Sequence, residues 1–223
     1  MFLSIAMDGP VGAGKSSVAD EVAKRLDIIH LDTGAMYRAV GLAARENGID
    51  PDDEEQVTKL LENGKAEVDV EYAGGAQHTL LCGRDVTGLL RSQEAGEAAS
   101  KVSRYPAVRR TLVRRQQEIA KKQSILIDGR DICSVVLPDA QVKIYLTASA
   151  ERRAERRQKQ LEEKGQKVSF EEILNEVNAR DWQDMHRETD PLTVAEDAVV
   201  VDSSDIGFEE TVEKILKIAE AYL

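Results

Sequence analysis

Gly9-Pro10-Val11-Gly12-Ala13-Gly14-Lys15-Ser16 carries glycine, lysine and a hydroxyl in the spacing G-x-x-x-x-G-K-[ST]. Glycines let consecutive backbone N–H groups turn inward with no Cβ in the way, which makes a nest for anions at a helix N-terminus. Lysine at position 15 would reach the β- and γ-phosphates of a nucleoside triphosphate, and the Ser16 hydroxyl would reach a Mg²⁺ ion held with those phosphates. An apolar run, Phe2–Met7, precedes the motif, and Val18, Val22 and Leu26 follow it at helical spacing. That strand–loop–helix context is what the chemistry requires. A plain glycine-rich connector would not need all eight positions. ATP or GTP contacts are therefore expected from Gly9 through Ser17.

Arginine usage suggests a second phosphorylated ligand. Lys101, Arg104, Arg109, Arg110, Arg114, Arg115, Lys121 and Lys122 face only Glu118 between them. Most of this run is expected to be a solvated helix face, with Arg109 left open. Arg130 follows an apolar strand at the carboxyl edge of the sheet, where ligands bind in open α/β folds. Arg38 lies early in the helix after Asp32-Thr33-Gly34. Arg180, Asp184 and Arg187 fall at i, i+4 and i+7, either as an ordinary ion-paired stripe or as part of a site. The guanidinium fork suits phosphate oxygens, and Lys15 with its glycine loop already serves a donor. A guanine-reading N-K-x-D is missing, since Asn178-Ala-Arg-Asp181 lacks the lysine, and Asp85-Val-Thr-Gly88 is assigned to chance. A small phosphotransferase remains.

These side chains need elements to hold them. Phe2–Met7, Ile28–Leu31, Ser124–Ile127, Val142–Leu146 and Ala198–Val201 read as five strands. They alternate with helical patterns, which implies a parallel sheet covered on both sides. Gly48 is placed to end one helix, the carboxylates of Asp52–Glu55 to open another, and Pro106 to begin a third. One segment differs. Val68, Val70 and Tyr72 alternate with polar residues, Gly74-Gly75 can turn, and Thr79–Cys82 can return, an antiparallel hairpin. The expected fold class is α/β: a P-loop core (1–62, 93–148, 188–223), an antiparallel β insertion (63–92), and a short helical lid with its adjoining helix (149–187).

Composition narrows the alternatives. The chain has 223 residues, 41 acidic against 30 Lys plus Arg, a formal charge of −11. A broad nucleic-acid surface needs the opposite sign, and 4% aromatics argues against a base-stacking platform. Cys82, Cys133, His30, His78 and His186 have no zinc spacing. No leader-like segment and no apolar run of about 18–20 residues stands out, so a cytoplasmic protein with reduced thiols and no membrane partner is expected.

Five motifs occur in order: Gly-Pro-x-Gly-Ala-Gly-Lys-Ser at 9–16, Asp-Thr-Gly-Ala-Met-Tyr-Arg at 32–38, Asp-Gly-Arg-Asp at 128–131, Pro-Asp-Ala-x-Val-Lys at 138–143 and Arg-Asp-x-x-Asp-x-x-Arg at 180–187. Together they closely resemble the bacterial-type cytidylate kinases, P-loop nucleoside monophosphate kinases, over essentially the whole chain. The hairpin falls where that family carries its monophosphate-binding subdomain. The resemblance implies phosphoryl transfer from ATP, with Mg²⁺, to CMP or dCMP. It implies Thr33, Arg109, Asp131 and Arg187 around the cytosine, Arg38 and Arg130 on the CMP phosphate, and Ser100, Arg180 and Asp184 at the ribose. Lys15 would be joined in catalysis by Arg153 and Arg157, four apart on the lid helix, with Arg152 and Arg156 a solvated face paired with glutamates. Thr33 stands where many relatives have Ser, and Ser16-Ser17 where others have Gly-Thr or Ser-Thr; each change keeps an oxygen. A monomer is the expected state. Other monophosphate or shikimate-type kinases would not need the insertion together with this residue set, and a non-catalytic nucleotide-binding module would not need the second arginine cluster.

Overall fold

The computed structural model describes residues 2–163 and 165–222. Strand β1 (Ser4–Asp8) leads through the glycine-rich loop into helix α1 (Lys15–Arg25). Strand β2 (Ile29–Asp32) precedes α2 (Thr33–Glu46) and α3 (Glu54–Glu62), and three short strands follow, β3 (Val68–Ala73), β4 (Ala76–Leu81) and β5 (Arg84–Asp85). Helices α4 (Gln93–Val102) and α5 (Pro106–Ala120) lead to β6 (Ile125–Gly129). Then come β7 (Val142–Thr147), α6 (Ala150–Glu163), α7 (Phe170–His186), β8 (Val199–Asp202) and α8 (Phe208–Ala219). The strands sort into a five-stranded sheet, β2-β6-β1-β7-β8, and a three-stranded sheet, β3-β4-β5. The α/β class read from the sequence is the class observed.

Two compact units divide the chain, Leu3–Ile28 with Leu126 onward, and Ile29–Ile125. In the first, β1 pairs with β7 from Ile5↔Val142 to Asp8↔Tyr145, and β7 with β8 from Ile144↔Val199 to Thr147↔Asp202, both parallel. Ile5, Met7, Leu126, Ile144 and Leu146 are fully buried against Val18 and Val22 of α1 and Val212 and Ile215 of α8. Burial on both faces is why these strands read as continuous apolar runs. The edge strand β8 departs from the expectation, with Val199 and Val200 exposed and Val201 buried. Helices α6 and α7 have an apolar cluster of their own, Ala154, Leu161, Ile173 and Val177. A capping box between Ser169 and Glu172 starts α7.

In the second unit the N-cap of α2 is Asp32, whose carboxylate accepts from Ala35 N at 3.0 Å, so Thr33 is the first helical residue. Asp53 caps α3 ahead of Glu54 and Glu55, Ser92 caps α4, and Pro106 opens α5. Gly74 and Gly75 take φ of 60° and 77°, the left-handed pair that a two-residue hairpin turn demands. They join β3 to β4 in the register Val68↔Leu81 to Ala73↔Ala76. The third strand, β5, has two residues, too few to leave a periodic signal. Asp85 accepts from the Thr87 hydroxyl at 2.6 Å and contacts His78 Nδ1 at 2.8 Å, which gives the D-x-x-G spacing a local role in the turn.

Candidate active site

The glycine-rich loop is held from inside by its own lysine. Lys15 Nζ donates to the carbonyls of Gly9 and Pro10, each at 2.8 Å, and the side chain is buried. Burial, reinforced by the positive charge of Arg130, lowers the Lys15 ammonium to about 7, against the pull of Asp128, Asp184 and Asp8. Gly9 allows the tight exit from β1. A Cβ there would lie 1.9 Å from the Leu146 carbonyl oxygen on β7.

Ser16 Oγ donates to Asp128 Oδ2 at 3.0 Å. A hydroxyl and one carboxylate, both hard oxygens, match the sparse protein share of a Mg²⁺ shell, which is otherwise filled by phosphates and water. Among the described residues no three His, Cys, Asp or Glu side chains gather as a metal cage. The donor set therefore fits a Mg²⁺ that arrives with a nucleotide.

Beyond β6, backbone geometry is set from β1. Both oxygens of the buried Asp8 carboxylate accept backbone N–H groups, from Ile132 and Cys133, at 2.8 Å each. Burial nonetheless raises its pKa above the usual range. The segment Ile132–Val136 makes one wide helical turn with i→i+5 bonds, Val136 N to Asp131 O at 3.2 Å and Leu137 N to Ile132 O at 2.7 Å. This turn follows directly on Arg130 and Asp131. Arg130 Nε donates to Asp184 Oδ2 at 2.8 Å, while Arg180 Nε lies 3.5 Å from Asp184 Oδ1, an ion contact rather than a hydrogen bond. Burial pushes the Asp184 carboxyl up, but the guanidiniums of Arg130 and Arg180 outweigh it and hold the group below the ordinary carboxylate range. Burial also lowers Arg180.

The i, i+4, i+7 stripe is only partly realised. Arg187 is the first residue past α7, with φ −63° and ψ 145°, and so leaves the helix face. Its Nη2 lies 3.4 Å from Asp131 Oδ1, and its Nε donates to the Asp190 carbonyl at 2.7 Å. Trp182 and His186 stack on each other with ring centroids 4.7 Å apart.

Arg153 is buried rather than displayed by a lid. It donates to Ala148 O at 2.8 Å, to Val11 O at 2.9 Å and to the two Asp181 oxygens at 3.0 and 2.6 Å. One turn on, Arg157 is half-buried with no ion pair among the described residues. Arg152 pairs with Glu155 and Asp205 as a surface cation, whereas Arg156 donates to Ser203 Oγ at 3.2 Å and not to a glutamate.

The second unit prepares a separate group of polar side chains. Asp32 caps α2 with one oxygen and takes Arg38 Nη2 at 2.7 Å with the other. Gln77 of β4 accepts from Asp32 N at 2.8 Å, so the small sheet anchors this turn. Thr33 and Ser100 are buried. Arg109 alone of the basic run is buried, at 2% exposure, its guanidinium 5.9 Å from the centre of the Tyr37 ring and donating to Ser103 O at 3.3 Å. The rest of the run lies outward, though Lys101 and Arg104 pair with Asp52 and Arg115 with Asp69.

A family model described as cytidylate kinase matches residues 5–221. The chain belongs to the cytidylate kinase family. The cytidylate kinase of Caldicellulosiruptor saccharolyticus is 45% identical over 97% of this chain and 95% of its own length. That of Carboxydothermus hydrogenoformans is 48% identical over 97% and 96%. A solved gluconokinase from Sinorhizobium meliloti 1021 covers 99% of this chain and 93% of its own at 14% identity and a TM-score of 0.50, a likeness of fold alone.

For a cytidylate kinase, the residues singled out in the sequence fall in two sets. Lys15, Ser16, Arg130, Asp131, Arg153, Arg157, Arg180, Asp184 and Arg187 belong to the first unit, and Thr33, Arg38, Ser100 and Arg109 to the second. Spacing alone gives no role to four carboxylates that the fold engages: Asp8, Asp32, Asp128 and Asp181. Asp128 did carry a signal, an acid closing a short apolar strand just where Ser16 needs a partner. Nothing in the local spacing of Asp8 or Asp181 marks the distant groups they hold.

Proposed function

We propose that the chain transfers the γ-phosphoryl group of ATP directly to CMP and dCMP, giving ADP with CDP or dCDP. The observation that carries this reading is the convergence, after β1 and β6, of the Lys15 loop, the Ser16–Asp128 pair and the Arg130–Asp184 pair. Gly9, Pro10, Val11, Gly12, Ala13, Gly14, Lys15, Ser16 and Ser17 are the proposed ATP contacts. Ser16 and Asp128 would hold Mg²⁺, which supplies charge neutralisation at the phosphates. The acceptor is a phosphate whose second pKa is about 6, so it is already anionic at neutral pH and needs no general base. The protein's task reduces to in-line positioning and stabilisation of charge on the group in flight. Lys15 and Arg157 supply cations for the latter, and exclusion of water would suppress hydrolysis.

On the acceptor, Arg38 and Arg130 are proposed to bind the phosphate, and Ser100, Arg180 and Asp184 the ribose. Asp131 would accept from the cytosine N4 amino group while Arg109 and Arg187 donate to O2 and N3, with Thr33 beside the ring. A cytoplasmic monomer with no nucleic-acid partner completes the reading. Coupled ADP release with CDP detection, run with CMP, dCMP, UMP and AMP, tests it. CMP and dCMP should turn over and the other two poorly. Equal use of AMP, or ADP release that ignores the monophosphate, would overturn it.

A further inference from the structure

The glycine-rich loop is gripped at three successive carbonyls. Lys15 takes Gly9 O and Pro10 O, each at 2.8 Å, and Arg153 takes Val11 O at 2.9 Å. A trans peptide holds its C=O and the next N–H in one plane, pointing in opposite directions. Fixing the Val11 carbonyl therefore fixes the direction of the Gly12 N–H, away from the Arg153 guanidinium.

Arg153 is in turn held by protein acceptors. Its Nε donates to Ala148 O, Nη1 to Val11 O and Asp181 Oδ1, and Nη2 to Asp181 Oδ2. Four of the five guanidinium N–H groups are thereby used by protein acceptors, two of them by one carboxylate in a fork-to-fork pair. Side-chain exposure is 5% for Arg153 and 14% for Asp181, so the pair is shielded from solvent. A guanidinium so committed is poorly placed to leave for a phosphate. It is well placed to hold a loop.

We propose that Asp181 is a positioning residue for the donor nucleotide. Acting through Arg153, it clamps the Val11–Gly12 peptide so that the Gly12 N–H faces the phosphates, and it ties α7 to the start of α6 and to the loop. The proposal rests on the reading of this loop as the ATP site and gives Arg153 a bracing part there, leaving Arg157 as the cation of α6 available to the transferring group.

The test compares Asp181→Ala, Asp181→Asn, Arg153→Ala and the double variant in the full chain. ATP affinity is read by calorimetry with Mg²⁺, and KM for ATP and for CMP by steady-state kinetics. Asp181→Ala should weaken ATP by about tenfold and leave the CMP KM within about twofold, because a displaced donor amide affects only the ligand it faces. The near-isosteric Asp181→Asn, which keeps one acceptor oxygen, should fall between Asp181→Ala and wild type. The double variant should match Arg153→Ala, since Asp181 acts only through that side chain. Unchanged ATP affinity in folded Asp181→Ala, equal losses for ATP and CMP, or additive single-variant effects would each overturn the proposal. If Asp181→Ala does not fold, Asp181→Asn decides the question, and wild-type ATP affinity there overturns the clamp. ATP binding is read without acceptor, so a wild-type chain that fails to phosphorylate CMP sinks the functional reading separately.

Discussion

Asp131 and Arg187 meet at 3.4 Å although 56 residues separate them in sequence, and in the proposed site their chemistry would be the basis for choosing one pyrimidine over the other. Cytosine offers an N4 amino donor to the Asp131 carboxylate. Uracil puts O4 there, so two acceptors would face each other with no proton between them. Asp131→Ala should reduce the kcat/KM preference for CMP over UMP by about 10- to 100-fold, the worth of one base-edge contact. Competition kinetics with both monophosphates would show it, and undiminished discrimination would remove Asp131 from the base site. Lys15 makes a different prediction. Burial lowers its ammonium to about 7 from an unfolded value near 10.5. The folded state then binds fewer protons than the unfolded state between those values, so this group makes stability rise with pH across that window. ATP phosphates arriving beside Lys15 would restore its charge. At pH 8 ATP binding should take up close to one proton, and at pH 6 almost none from this group. Calorimetry in buffers of different ionisation enthalpy measures the uptake, and none at pH 8 would show that Lys15 stays protonated throughout. At this scale the motif residues were legible because their spacing is local. The roles of Asp8, Asp128 and Asp181 were not, because each acts on a partner distant in sequence that only folding supplies.

Helices α6 and α7 depend on a small cluster of their own, Ala154, Leu161, Ile173 and Val177, outside the main sheet core. Truncating Ile173, at 1% exposure, to Ala should cost about 2–5 kcal/mol of local packing. Amide exchange should then quicken over 150–186 while β1 and β7 keep their protection. Uniform loss of protection would mean the pair has no stability separable from the sheet. Element positions were largely readable, since caps such as Asp53, Ser92 and Ser169 and the Pro106 start are side-chain signals. The two-residue β5 and the wide turn at Ile132–Val136 were not. The first is too short to show a period, and the second is imposed by the Asp8 carboxylate.

At the scale of the whole molecule, a charge of −11 is compatible with the proposed phosphate site, and part of the acid is matched on the surface. Glu21, Glu209 and Glu213 surround Arg25, and Asp52 takes both Lys101 and Arg104. A small nucleotide senses the local field around Lys15 and Arg130 more than the distant total. MgATP at 100 times its dissociation constant should stabilise the chain by about 2.7 kcal/mol, a rise in Tm of about 5–10 °C for this size. Scanning calorimetry with and without the nucleotide checks this, and an unmoved Tm would deny the loop its ligand. Among the described residues no helix is long and apolar enough to cross a membrane.

By itself the sequence determined the α/β class, the phosphate loop, the antiparallel hairpin and the family, because each is written in local spacing or in motifs kept in order. Tertiary structure decided which charges are tools and which are struts. Arg109 is buried while Arg110 and Arg114 on α5 are exposed, Arg187 leaves its helix to meet Asp131, and Arg153 turns inward to Val11 and Asp181. A charged side chain reads the same in sequence whether it faces water, substrate or another charge. Its role depends on what folding brings within about 3 Å, the reach of a hydrogen bond.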